Sequence, residues 1–179
     1  PIHRIDRETA GLVLFSVKPE GRNLYQRLFR ENFVSKHYEA IAPYRDDLDF
    51  PMRYRSRIEE GDSFMRMRVI PDGTPNAETE ISIKQKSNAF AHYHLKPVTG
   101  RKHQLRIQMC SLGIPLLNDR IYPVHLPEAV TDEMQAEEFR YPLQLVAKSV
   151  SFKDPVTEKI HHFESRHCLD LNRISDFID

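Results

Sequence analysis

Residues 77–98 read AETEISIKQKSNAFAHYHLKPV, and this stretch decides the fold class. It holds two runs, 77–86 and 89–98, in which polar and apolar side chains alternate, with a Ser-Asn pair between them. Alternation with a period of two is typical of strands that bury one face, and two such runs joined by a short polar turn predict a β-hairpin. Because the strands of a hairpin are antiparallel, we expect an antiparallel sheet at the centre of the chain.

Further strands and a few helices are predicted on both sides of this hairpin. The unbroken apolar run GLVLFSV, residues 11–17, predicts a fully buried strand. The other predicted strands cover 36–42, 53–59, 64–70 and 143–152, and the predicted helices cover about 20–32, 99–113 with Thr99 as N-cap and Gly113 at the C-terminus, and 167–178. Strands that need not be parallel, with helices between them, predict an α+β fold built on a mixed, mostly antiparallel sheet with flanking helices.

The composition describes a globular protein of one domain. The chain has 179 residues, of which 40% are hydrophobic and 29% charged, and domains typically hold roughly 100–200 residues. No apolar run approaches the roughly 20 residues of a membrane helix. The two cysteines, Cys110 and Cys168, do not form a disulfide framework, so we expect a reducing, cytoplasmic location and no membrane partner.

The net charge is zero, but the charges are unevenly distributed. Residues 1–110 hold 19 Lys and Arg against 14 Asp and Glu, whereas residues 111–179 hold 7 against 12. A basic part beside an acidic remainder is compatible with nucleic-acid binding, and equally with an ordinary solvated surface.

An aspartate surrounded by bases opens the chain. Asp6 lies between Arg4 and Arg7, with His3 close by and the apolar run directly after. Such an Asp is usually part of a surface ion pair. The functional alternative is a carboxylate nucleophile beside an anionic substrate, with the nearby arginines holding its pKa low.

A second basic cluster, TGRKHQLR, covers residues 99–106. Arg101, Lys102, His103 and Arg106 lie in the first turns of a predicted helix, where cations oppose the helix dipole. Bases beside free amides at a helix N-terminus can hold a phosphate. Arg106 has apolar neighbours and could point inward to an acid, for which Asp6 is a candidate; the alternative is a basic surface helix.

Other motifs are less informative. Tyr38 lies in the predicted strand 36–42 with Lys36 two residues before it, so it belongs either to the core or beside a stacked base. Residues 159–168, KIHHFESRHC, carry histidines and a cysteine, but their spacing does not match paired metal ligands, so no metal site is predicted. The sequence contains neither a glycine-rich phosphate loop nor a serine-nucleophile motif.

Together these segments resemble the RNA pseudouridine synthases of the RluA type. The family motifs HRLD followed by a glycine and an apolar strand, K-x-Y-x-A, and TGR-x-HQ-x-R correspond to HRIDRETAGLVLF, KHYEA and TGRKHQLR. The similarity continues through residue 157, in the family's order, with departures at Ile5, Ala10, Asn118 and Val146. Asn118 stands where the family has a glycine before an aspartate.

The resemblance implies a fold, an activity and roles for particular residues. It implies a mixed, mostly antiparallel sheet with a central active-site cleft, and isomerisation of uridines in ribosomal or transfer RNA without metal or other cofactor. Asp6 would be the catalytic aspartate, Tyr38 would lie against the uracil, and Arg106 would pair with Asp6. The expected RNA contacts are His3, Arg4, Arg7, Thr9, Lys36, Arg101, Lys102, His103 and Gln104.

Three alternatives remain at this point: a catalytically silent RNA-binding module, a metal-dependent nuclease or hydrolase using Asp6, Asp119 and the late histidines, and a truncated, inactive remnant. In the family a strand segment precedes the aspartate motif. We therefore expect residues 1–179 to form a single catalytic domain, monomeric, that lacks an N-terminal strand segment and any accessory RNA-binding domain. An acidic insert at 124–142 is expected to be a solvated loop.

Overall fold

One sheet organises the molecule, and the predicted hairpin lies in its middle. The computed structural model describes residues 1–61, 66–87, 89–124 and 140–176. Within these ranges the strands are β1 (Ala10–Gly11), β2 (Val34–Pro43), β3 (Met52–Glu60), β4 (Met67–Ile70), β5 (Ala77–Ser87), β6 (Phe90–Pro97), β7 (Leu145–Lys153) and β8 (Ile160–Glu164). The helices are α1 (Arg22–Arg30) and α2 (Gln104–Ser111), with short 3-10 turns at Pro19–Gly21 and Leu171–Asp176.

The strand order confirms the predicted fold class. The strands follow one another as β1-β7-β2-β6-β5-β3-β4, and β8 pairs with the remaining length of β7. β1 runs parallel to β7, whereas all other pairings among the described strands are antiparallel. The result is a mixed, mostly antiparallel sheet with few helices.

The prediction of a fully buried strand over 11–17 is wrong. Only Ala10 and Gly11 pair with β7, and Phe15 and Val17 are 67% and 95% exposed. Leu12 and Leu14 instead pack in a cluster beside α1. When both faces of an extended segment carry apolar side chains, the sequence shows no alternation of polar and apolar residues. The sequence therefore could not show which face of this segment is buried.

The predicted helices are present but shorter. Helix α2 begins at Gln104 rather than at Thr99, whose hydroxyl donates to the Gln104 side chain. The helix ends as predicted: Gly113 has φ 75°, and the amides of Gly113 and Ile114 donate to carbonyls of the last turn. The predicted closing helix is the 3-10 turn Leu171–Asp176.

The two faces of the sheet are covered differently. Helix α2 places Leu105 and Met109 against a core that includes Tyr93 and Leu95 of β6. On a second patch of core, Leu171 and Ile174 of the 3-10 turn pack with Ile41 of β2. The largest buried cluster therefore lies beside α2, the helix that carries Arg106.

Two predictions concern the late part of the chain. The histidine-containing stretch forms β8, a strand that the sequence reading missed. Within the described ranges, no three His, Cys, Asp or Glu side chains are grouped so as to hold a metal ion. Most of the expected acidic loop, residues 125–139, lies outside the described residues.

Replacing Gly11 by alanine is expected to lower the free energy of unfolding by at least about 2 kcal/mol. Gly11 has φ 109°, and a Cβ atom there would overlap the backbone of Ala147 in the paired strand. Urea denaturation checks this change. Gly21→Ala is the control, because Gly21 has an ordinary φ of −81° and a Cβ there would approach only the Tyr25 ring. A loss no larger than that of the control would contradict the close approach of β1 to β7.

Candidate active site

Asp6 lies in the turn that leads into β1, and its carboxylate is partly open. Its side chain is 24% exposed, and its carbonyl accepts a hydrogen bond from the amide of Thr9 at 3.0 Å. Oδ2 lies 3.8 Å from Nη1 of Arg106, and Oδ1 lies 3.9 Å from Nε2 of His103. The pairing of β1 with β7 holds the end of this segment, so the carboxylate faces the start of α2.

Arg106 lies at the centre of a buried cluster of acids. It is 1% exposed. Its Nε donates to Oδ2 of Asp119 at 2.8 Å, and its Nη2 donates to Oδ1 of Asp119 at 2.6 Å and to Oε2 of Glu8 at 2.7 Å. The expected inward orientation of Arg106 is therefore present. Its hydrogen bonds go to Asp119 and Glu8, however, and its contact with Asp6 is the longest of the three.

Asp119 is the acid that most strongly fixes Arg106. Its side chain is fully buried, and its Oδ1 also accepts hydrogen bonds from the amides of Ile121 and Tyr122 at 2.8 and 3.0 Å. The preceding residue, Asn118, has φ 62°, a conformation that asparagine tolerates better than most residues. This explains how Asn118 can replace the glycine of the family pattern.

The pKa of Asp6 differs from the prediction. Burial raises the pKa of this carboxyl, and the charge of Asp119 raises it further. Arg106, Arg4 and Lys102 act in the opposite direction without reversing the shift. The expectation that the arginines hold the pKa low is wrong because the effect of burial, with that of the Asp119 charge, outweighs the effect of the nearby cations.

Tyr38 and Lys36 enter the site from β2. The charge of Asp6 reaches Tyr38 and, together with the larger effect of burial, raises the pKa of the phenol to about 12. Burial lowers the pKa of Lys36 to about 8, and its Nζ donates to the carbonyl of Thr99 at 3.0 Å. Tyr38 is therefore a neutral phenol beside the carboxylate, whereas Lys36 ties β2 to the turn before α2.

The residues expected to contact RNA fall into two groups. Arg4, Arg7 and Arg101 are exposed and Lys102 is half-buried; we call these four cations, which adjoin Asp6 and the start of α2 in the sequence, the rim. The charges of Arg4 and Lys102 reach Asp6. Contact of this rim with RNA stays a prediction.

Three of the other expected RNA contacts are buried, and the remaining two, His3 and Lys36, are half-buried. Thr9, His103 and Gln104 are buried. His3 accepts a hydrogen bond from the amide of Leu14 at 3.0 Å and stacks on Phe29 with 4.4 Å between ring centroids. These side chains support the turn that carries Asp6 and the start of α2.

The buried side chain of Gln104 forms hydrogen bonds with both of its polar atoms. Its amide nitrogen donates to the Glu78 carbonyl and to the Thr79 hydroxyl, and its oxygen accepts from Thr99 and from the amide of Arg101. Every polar atom of the side chain has a protein partner. Gln104 therefore joins α2 to β5.

Two residues of the cluster, Glu8 and Tyr122, were missed as site residues, and Asp119 was considered only as part of a metal-dependent site. The sequence offered two signals. A buried arginine needs acidic partners for its charge, and an Asp that follows an Asn is typical of a tight turn in which the side-chain oxygens accept backbone hydrogen bonds.

Comparison with known proteins assigns the chain. The sequence profile of the family described as RNA pseudouridylate synthase matches residues 1–111, more than half of the chain. The chain belongs to this family. The matched range contains the candidate site residues Asp6, Tyr38 and Arg106.

Curated relatives agree with this assignment. The chain is 29% identical over 172 residues to the dual-specificity RNA pseudouridine synthase RluA of Pasteurella multocida, which covers 89% of this chain and 69% of that protein. It is 31% identical over 158 residues to the ribosomal large subunit pseudouridine synthase C of Vibrio cholerae, covering 88% of this chain and 48% of that protein. Pseudouridine synthases are isomerases, so the chain is a member of a family of RNA-modifying enzymes.

Solved structures of pseudouridylate synthase domains share the fold. Human RNA pseudouridylate synthase domain containing 1 superposes with a TM-score of 0.71 at 18% identity, over 97% of this chain and 77% of that chain. Human RNA pseudouridylate synthase domain containing 4 superposes with a TM-score of 0.68 at 23% identity, over 98% of this chain and 73% of that chain.

Among the described residues, no helix is long and apolar enough to span a membrane.

Proposed function

We propose that the chain isomerises uridines of ribosomal or transfer RNA to pseudouridine, with Asp6 as the nucleophile. The observation that carries the proposal is the position of the Asp6 carboxylate. It is partly open, it faces the Arg106 cluster, and its charge reaches the phenol of Tyr38. A raised pKa makes the ionised carboxylate a stronger nucleophile and base than a free aspartate.

The reaction needs nothing beyond such a site. The bond between N1 and C1′ breaks, the uracil turns, and a bond between C5 and C1′ forms. The proton on C5 leaves to solvent while N1 takes up one proton, so product and substrate are isomers and no electrons are exchanged. A carboxylate can carry the covalent step, and the reaction therefore requires neither a metal nor a redox cofactor.

Each surrounding group has a role in this proposal. Tyr38 lies against the uracil and remains a neutral phenol at physiological pH. Arg106 positions Asp6 and offsets its charge. A uridine inside a helix must leave the base stack to be reached, and Arg4 on the rim takes the vacated place. The other rim cations, Arg7, Arg101 and Lys102, hold phosphates.

The choice of RNA follows from two relatives, one named as dual-specificity and one as acting on the ribosomal large subunit. We infer that the protein works in the cytoplasm, where both classes of RNA are present. We also infer that it works as a monomer.

Release of tritium from RNA labelled at uracil C5 tests the function. The substrates are bulk ribosomal and bulk transfer RNA from cells that lack the protein, assayed separately with the wild type and with Asp6→Asn. We expect release by the wild type from one of the two pools and none by the variant. RNA binding without release by the wild type would instead indicate a silent RNA-binding module, and release that EDTA abolishes would contradict a metal-free reaction.

A further inference from the structure

Tyr122 connects an edge strand of the sheet to the candidate nucleophile. Its side chain is buried, and its ring lies edge-on to His103 with 5.8 Å between centroids. The phenol oxygen lies 2.7 Å from the amide nitrogen of Met67, the first residue of β4, and 3.1 Å from Nδ1 of His103. A backbone amide, a phenol and an imidazole thus form one chain that ends near Asp6.

The direction of the hydrogen bonds in this chain follows from what each group can donate. The Met67 amide only donates, so the phenol oxygen accepts from it. Burial raises the pKa of Tyr122 to about 12, so the phenol keeps its proton. The phenol oxygen lies within hydrogen-bond distance of Nδ1 of His103, and we assign the phenol as the donor and Nδ1 as the acceptor of this bond. Nδ1 is then unprotonated, and the neutral imidazole carries its proton on Nε2.

The protonated nitrogen faces Asp6. Nε2 of His103 lies 3.9 Å from Oδ1 of Asp6, and hydrogen bonds between catalytic groups are often longer without substrate than in the complex. His103 also holds a left-handed backbone conformation, with φ 52°. Such conformations are unfavourable outside glycine and persist where the surrounding structure requires them.

We propose that His103 is a positioning residue for Asp6, donating from Nε2 to its carboxylate, and that Tyr122 and the Met67 amide fix the tautomer that makes this possible. The inference rests on the proposed role of Asp6. It assigns His103 a function different from the RNA contact that the sequence predicted.

The surroundings keep the imidazole neutral. Burial is the largest effect and lowers the pKa of His103 to about 4. The charges of Arg106 and Lys102 act in the same direction, and that of Asp119 opposes them. A neutral donor orients a carboxylate while leaving its negative charge largely available, whereas an imidazolium would pair with Asp6 and weaken it as a nucleophile.

The tautomer can be measured without RNA. A long-range proton–nitrogen correlation spectrum of the nitrogen-15-labelled chain at pH 7 distinguishes the two neutral tautomers and the cation, with His103 assigned through its absence from a His103→Gln sample. We expect the Nε2–H tautomer. An Nδ1–H tautomer or an imidazolium would overturn the proposal. Tyr122→Phe, which keeps the ring and removes the hydroxyl, is expected to add the second tautomer to the spectrum.

The effect on Asp6 is measured with a matched pair of variants. Glutamine and methionine are both unbranched and of similar length, but only glutamine retains an N–H donor near the position of Nε2. Loss of a donor to a carboxylate raises its pKa. We therefore expect a carbon-13 titration of Asp6 to give a higher pKa in His103→Met than in His103→Gln. Equal values in the two variants would overturn the positioning role.

The tritium assay supplies the catalytic readout. We expect His103→Met to lower kcat by about 10-fold or more, with KM for RNA unchanged, and His103→Gln to retain most of kcat. If the wild type releases no tritium, the proposed function fails, whereas the spectrum and the titration still decide the role of His103. If the wild type is active and the two variants are equal, the positioning role alone fails.

Discussion

Asp6→Asn is expected to lower the turnover of uridine to pseudouridine by about 10⁴-fold or more, the scale seen when a covalent nucleophile is removed. Asparagine has nearly the same shape, so RNA binding, which we propose to depend on the rim cations, should be retained. The amide cannot form the transient bond that we propose for the Asp6 carboxylate. Single-turnover tritium release with the variant in excess over RNA measures the loss, and filter binding measures the affinity.

The same substitution should leave the folded state as stable as the wild type or more stable. Because burial raises the folded pKa of Asp6, the folded state binds this proton more tightly than the unfolded chain does. The contribution of Asp6 to stability therefore falls as the pH rises from the unfolded pKa through the folded pKa. Asparagine does not ionise, so the stability difference between variant and wild type should shift in favour of the variant over that interval.

Urea denaturation measures the difference in free energy of unfolding between variant and wild type. The measurements are made between pH 3 and pH 8, in steps of about one pH unit. Asp49→Asn serves as the control, because Asp49 is exposed. Turnover retained by Asp6→Asn would remove Asp6 as the nucleophile. A variant clearly less stable than the wild type at pH 7 would show that Asp6 stabilises the turn before β1.

Arg106→Met is expected to lower the free energy of unfolding by about 3–5 kcal/mol. The substitution roughly preserves the volume of the aliphatic stem but leaves Asp119 fully buried without its bidentate partner. Glu8 also loses its partner, although its side chain is 14% exposed and partly reaches water. Removing one member of a buried ion pair costs more free energy of unfolding than the intact pair contributes, because the remaining charge stays buried without a partner.

A double-mutant cycle with Asp119→Asn tests that explanation. Asparagine keeps an oxygen acceptor for the amides of Ile121 and Tyr122 but carries no charge. In the Arg106→Met background, Asp119→Asn is therefore expected to restore at least about 1 kcal/mol, giving a coupling within the 0.5–3 kcal/mol range of contacting residues. Additive losses in denaturation experiments would mean that the burial of the Asp119 charge is not what makes Arg106 necessary.

The sequence predicted features that depend on local pattern. Alternation over 77–98 correctly placed the central hairpin, and Gly113 correctly marked the end of α2. Arg106 lies 3.8 Å from Asp6, whereas the pairing role of Arg106 and the nucleophilic role of Asp6 stay predictions.

Long-range partnerships could not be predicted in the same way. The local sequence does not show that Arg106 forms hydrogen bonds with Asp119 and Glu8 rather than with Asp6. These partners depend on how three segments pack together: the turn before β1, helix α2 and the turn after α2. The same applies to His103, which sits in a run of cations yet is buried. Its neighbours Arg101 and Lys102 suggested a basic surface, whereas the left-handed turn at His103 directs its ring inward.

The parallel pairing of β1 with β7 has a consequence for the time at which the site can form during synthesis. Ala10 and Gly11 pair with Val146 and Ala147, which lie far along the chain. A nascent chain that ends before β7 already contains Asp6, Tyr38 and Arg106 but lacks the strand that holds the Asp6 segment against the sheet. Contacts between residues so distant in sequence form slowly compared with local ones. The enzyme should therefore stay catalytically silent on the translating ribosome, close to abundant RNA, until nearly the whole domain has emerged.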